Sequence, residues 1–194
     1  MKRDISTISF VIVVFAILEL FFLNPAFAKK DCDGLVWEGY YEIRTIEDLQ
    51  ALSGFTEVTG NLRIEESNLT SLDGLKCLTS LGGELFIASN DSLTSLKGLE
   101  NLPSVGGYLS IASNNSLTSL AGLKNLASVG VLIINDNDSL PSLKGLKNLA
   151  SVGGRLWVTE NHQLCTSLAE DLRDQVLDAG GIGGSIDIYD NKDC

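Results

Sequence analysis

The sequence predicts a mainly β protein, a right-handed parallel β-solenoid of about six coils of 23–24 residues with a short helix near each end. Three observations carry that expectation. The pair Gly-Leu recurs at Gly74, Gly98, Gly122 and Gly145, and apolar pairs of one strand begin at Leu62, Leu85, Leu109, Leu132 and Leu156. Asn90, Asn114, Asn137 and Asn161 keep the same period, and a divergent last copy carries Ile186 and Asn191. Units this short cannot bury an apolar face alone, so copies must stack on one another.

Residues 1–28 are expected to form a signal peptide removed on export: Lys2 and Arg3 start it, Phe10–Leu23 is apolar apart from Glu19, and Ala-Phe-Ala ends at Ala28. The remainder, residues 32–194, reads as one domain. Thr45, with Asp48 three residues on, reads as a capped helix start, and Gly54 as its stop. Within each repeat, "ELFIAS" alternates as a half-buried strand should, with Leu85 and Ile87 on one side. "SLTSL" reads as a second extended piece and "PSVGG" as a third ending in a glycine turn. The asparagines stack into a corner ladder, with Asn101, Asn125 and Asn148 as a second one. The ladder accounts for the sequons at Asn90, Asn114 and Asn137 without a sugar; a fourth lies at Asn68. Near the end, Ser167 and Glu170 read as a capping box, Leu168, Leu172 and Val176 as a buried stripe, and Gly180–Gly181 as the helix stop.

The net charge of −11 survives loss of the leader, which carries two basic and two acidic residues. Such an acidic chain argues against nucleic acid and anionic membranes as partners, since phosphate binding needs clustered cations. The even count of cysteines, Cys32, Cys77, Cys165 and Cys194, implies two disulfides in any of three connectivities. Ligand spacing for a metal is lacking, and no cofactor motif is found. Catalysis has little to build on. The single histidine, His162, reads as a solvated turn residue. Asp187 and Asp190, which would suit a β-helical polysaccharide enzyme, read as a solvated last coil. "NDND" at 135–138 lacks the glycine and distal glutamate of a calcium loop. Lys97, Lys124, Lys144 and Lys147 form a solvated ridge at the Gly-Leu corner.

The informative positions are those where repeats differ. With Leu and Ile facing inward, the outward central column is Arg63, Phe86, Ser110, Ile133, Trp157, Asp187. Beside it run Asn61, Glu84, Tyr108, Val131, Arg155, Ser185. Aromatics gathered on a solvent-facing sheet mark an interaction surface, and Trp, Tyr and Arg are the usual anchors. The candidate binding residues are therefore Arg63, Phe86, Tyr108, Ile133, Arg155 and Trp157, facing a protein or glycan. The competing reading is a structural coat or adhesion protein with no single ligand.

The opening "CDGLVWEGYYEIRTIEDLQALSGFTEVTGNLRI" and the close, "NHQLC" then a helix and "IDIYDNKDC", resemble the two ends of a receptor L domain. That family comprises leucine-rich, β-helical modules of the outer parts of insulin- and epidermal-growth-factor-type receptors. The "SLTSLxGLxNLxSVGG" repeats are similar to free-standing bacterial secreted proteins. The resemblance implies a non-catalytic, polypeptide-binding module, with a conventional leucine-rich-repeat horseshoe as the fold alternative. Stacking the last two coils brings Cys165 to Cys194 and leaves Cys32 for Cys77. No membrane span is expected after leader cleavage, and the expected location is outside the cell or in the periplasm.

Overall fold

A computed structural model describes residues 32–194; the expected leader lies outside the described residues. The described residues are mainly β, with every strand pair among them parallel and two α-helices. The main sheet gathers β2 (Tyr41–Ile43), β4 (Leu62–Glu65), β6 (Leu85–Ala88), β7 (Ser104–Ala112), β8 (Ser128–Asn135), β10 (Leu156–Thr159) and β11 (Ile186–Tyr189), with β9 (Ser151–Val152) on β8. A three-stranded sheet joins β1 (Leu35–Trp37), β3 (Phe55–Val58) and β5 (Ser80–Leu81).

Register obeys the repeat. Leu62, Leu85, Leu109, Leu132, Leu156 and Ile186 stand side by side, as do Ile64, Ile87, Ile111, Ile134, Val158 and Ile188. All but the last of each row are 0% exposed, the inward face being closed by leucines from the rest of each repeat, such as Leu96, Leu99, Leu120 and Leu123. Each of these side chains contributes about 1.5–3 kcal/mol of burial.

Each repeat turns its corner through a non-glycine residue in the left-handed region: Glu66, Ser89, Ser113, Asp136, Glu160 and Asp190, with φ from 51° to 58°. Such a residue costs about 1 kcal/mol or more. The polar residue next in the chain offsets that cost. Asn90, Asn114, Asn137 and Asn161, all 0% exposed, form a continuous ladder. Asn114 Nδ2 donates to the Ile87 carbonyl at 2.9 Å and to Asn137 Oδ1 at 3.2 Å, while its own Oδ1 accepts from Asn90 N and Nδ2. Ser67 opens the ladder and Asn191 closes it. The sequon asparagines 90, 114 and 137 are thus buried rungs, whereas Asn68 is exposed.

Three expectations need correction. "SLTSL" does not add a strand column: only Ser95 and Ser119 bridge, and the chain then makes a 3-10 turn at Asp73–Leu75, Ala121–Leu123 and Lys144–Leu146. The glycine of each Gly-Leu pair allows it, because a Cβ on Gly122 would lie 1.7 Å from the Leu96 carbonyl oxygen and one on Gly145 1.9 Å from that of Leu120. Asn101, Asn125 and Asn148 do not bond to one another. They donate to the carbonyls of Lys76, Glu100 and Lys124, each at 2.7 Å, one repeat earlier. The third correction concerns the start of the second helix.

Of the two helices, α1 (Ile46–Ala51) starts as expected, with a reciprocal Thr45–Asp48 capping box. The second, α2 (Thr166–Ala179), differs. Its N-cap is Cys165 and Ser167 makes no cap bond. The start moves forward because Cys165 is pinned twice, by its bridge to Lys192 and by the disulfide to Cys194. Ala169, Leu172 and Val176 are buried, with Leu168 half-buried against the core. The other disulfide joins Cys32 to Cys77.

Candidate functional site

The main sheet has one face left over once its leucines and isoleucines turn inward. Its central row runs Arg63, Phe86, Ser110, Ile133, Trp157, Asp187 across six paired strands, in the expected order. Parallel pairing sets neighbours in this row about 4.8 Å apart.

The row is less open than its position suggests. Arg63 lies over the Phe86 ring with Cζ 4.7 Å from the centroid, and Arg155 over Trp157 at 4.1 Å. Each guanidinium is also tied to an acid. Arg63 Nη1 sits 3.3 Å from Glu65 Oε2, and Arg155 Nε donates to Asp187 Oδ2 at 2.7 Å. Phe86, Ile133, Trp157 and both arginines are consequently half-buried, while Tyr108 is 43% exposed. Ser110 is buried, a small residue flanked by Phe86 and Ile133. The structure therefore brings five of the six candidates into the two outward columns as half-buried residues and leaves Tyr108 standing free.

A third outward column was missed: Glu65, Ala88, Ala112, Asn135, Thr159 and Tyr189. Alternation carried two residues further would have found it. It adds Tyr189, 45% exposed, at one end and two alanines that make the middle shallow. It also holds Thr159, 1% exposed, whose Oγ1 has no hydrogen-bond partner; the buried Trp157 Nε1 two residues away has none either. Orphaned polar atoms are costly in a closed site.

Asp187 is held charged. The hydrogen bond from Arg155, and after it that from Ser185, lowers the pKa of Asp187, the reverse of what a general acid requires. Asp190 is a left-handed corner residue. His162 is exposed and hydrogen-bonded to Asp138 of the preceding corner, which raises its pKa first through that bond and then through the carboxylate's charge. Among the described residues, no three His, Cys, Asp or Glu side chains come together in a metal-binding group. No helix among them is long and apolar enough to cross a membrane.

The fold is a stack of parallel strands whose outward side presents two arginine–aromatic pairs and an exposed tyrosine. The model of the receptor L domain family matches residues 77–176, half of the chain, and the chain belongs to that family. No curated protein and no solved structure matches it.

Proposed function

We propose that this protein is a secreted, non-catalytic binding module. In this reading residues 1–28 are cleaved on export, and residues 32–194 form one right-handed parallel β-solenoid of about six coils. The outward face of the main sheet then holds a protein ligand through Arg63, Phe86, Tyr108, Ile133, Arg155 and Trp157. The observation that carries it is the pair of arginine–aromatic stacks on one sheet with Tyr108 exposed between them. Such preformed stacks present large contact area with little side-chain freedom left to lose. Membership of a ligand-binding family supports the same reading, and two disulfides fit an oxidising compartment.

The test screens the folded domain against extracellular proteins, comparing wild type with Tyr108→Ala and Trp157→Ala. A specific partner should lose about 2 kcal/mol or more with either variant. Tyr108→Ala should leave the melting temperature unchanged, whereas Trp157→Ala should lower it modestly because the indole is half-buried. A partner that binds both variants as tightly as wild type would place the contact elsewhere.

One observation favours a structural reading. Of the large apolar residues that are exposed, Leu35, Val36, Tyr40 and Ile46 lie at one end of the strand stack and Leu177, Ile186 and Tyr189 at the other. Open strand edges with apolar rims suit end-to-end assembly. Sedimentation showing concentration-dependent polymers would favour the coat or adhesion role.

A further inference from the structure

The cations of this acidic protein are unevenly employed. Among the described residues, each arginine sits within 4.0 Å of a carboxylate, and Lys97 pairs with Asp73 at 3.3 Å. Lys124, Lys144 and Lys147 make no ion pair there, and all three line one groove of about 460 Å³. Thr118, Ser119 and Ser142 contribute hydroxyls to its wall, and no carboxylate does.

The groove sits where the repeats break their own charge pattern. Two columns run along this ridge, one residue per repeat: Asp73, Lys97, Ala121, Lys144, and beside it Lys76, Glu100, Lys124, Lys147. The second is locked in vertical order, since Asn101, Asn125 and Asn148 clamp the carbonyls of Lys76, Glu100 and Lys124. In the early repeats, signs alternate. In the later ones Ala121 stands where alternation requires an acid, and Lys147 comes directly after Lys124. Like charges facing each other in adjacent repeats repel. Glu100 offers little relief, for its carboxylate accepts from its own turn's Gly98 N–H at 2.8 Å. Two negative groups are missing from two neighbouring columns, and both gaps open into one groove.

We propose that this groove binds the carboxylates of a uronate-containing oligosaccharide, with Lys124 and Lys147 sharing one carboxylate and Lys144 holding the next. The groups absent from the columns are Asp and Glu carboxylates, which a uronic acid reproduces, and the wall hydroxyls match sugar hydroxyls. A net charge of −11 repels any polyanion at a distance, a nucleic acid more strongly than a short uronate chain because its charges are more closely spaced. The site lies on the Gly-Leu ridge, outside the main-sheet residues, and does not depend on their role.

The experiment is calorimetric titration of the folded domain with tetragalacturonate, its methyl ester, monomeric galacturonate and inorganic sulfate. Tetragalacturonate should bind, weaken as salt rises, and lose about tenfold in affinity in Lys124→Gln and again in Lys147→Gln, since a charged hydrogen bond contributes about 1.5 kcal/mol or more. The methyl ester should not bind, and Lys192→Gln, an exposed lysine outside the groove, should leave binding unchanged. Equal affinity for sulfate would reduce the site to a simple ion site and overturn the proposal. So would absent binding, or unchanged binding in the double variant. Should a variant fail to fold, chemical acetylation of wild type decides: tetragalacturonate should protect Lys124, Lys144 and Lys147 but not Lys76, and equal labelling of all four would refute the assignment.

Discussion

Replacing Asn114 by alanine removes five hydrogen-bond contacts, made by one oxygen and two N–H groups, from a fully buried position. The side chain accepts from Asn90 N and Nδ2 at 3.2 and 3.0 Å. It donates to the carbonyls of Ile87 and Ala112 and to Asn137 Oδ1 at 2.9, 3.0 and 3.2 Å. At about 1 kcal/mol net for each, with some recovery through the partners' other bonds, the loss is about 4 kcal/mol. For a domain of this size that lowers the melting temperature by about 8–16 °C. Asn125→Ala is the control, because it deletes a single exposed bond to the Glu100 carbonyl and should cost under about 1 kcal/mol. Asn114→Asp sharpens the test. It turns an acceptor toward the Ile87 and Ala112 carbonyls and buries a carboxylate, so it should be worse than alanine at neutral pH and recover as the acid protonates. Urea melts of the three variants decide. If Asn114→Ala fell within about 1 kcal/mol of Asn125→Ala, water would be replacing the rung, and the ladder would not be a stabilising element.

Gly122→Ala should unfold or severely destabilise the domain, its Cβ placed 1.7 Å from a backbone oxygen, whereas Gly106→Ala, with nothing within 4 Å, should melt as wild type does. Thr45→Ala should cost about 1 kcal/mol and Ser167→Ala nothing measurable, by thermal melts, because only the first is a working cap. The histidine signal in an NMR titration should show His162 with a pKa above the ordinary histidine value, owing to its bond with Asp138. Because the folded-state pKa is the higher one, its contribution is full below the unfolded value and fades as pH rises through the folded value; His162→Gln should abolish that slope.

Much of the fold was legible because its period is written in single columns. Leucines spaced 23 or 24 residues apart set the register, and alternation within "ELFI" set which side faces in. What stayed hidden was what depends on a neighbour one repeat away. The 3-10 turn at Gly122 requires the carbonyl of Leu96 to lie under it, and nothing within "SLAGL" says so. Four of the six left-handed corners fall on serine and glutamate, residues that advertise no positive φ. Ser167 had the right chemistry for a cap, yet a bridge from Lys192 to Cys165 decided where the helix begins. For the candidate site, the row order was readable from periodicity. Its half-burial was not, because it arises from Arg63 and Arg155 folding down onto rings two residues ahead or one strand across.

The ladder of asparagines also has a direction. Between side chains, from Ser67 to Asn191, each rung donates to the oxygen of the next and never to that of the one before. Each storey therefore arrives with its own socket and its own plug. A gene segment encoding one period can be duplicated in frame and the added storey finds both partners already waiting, with its glycine seat and its leucines in step. Lengthening such a wall asks for no new fitting surface, only another copy between the same two disulfide-fastened ends.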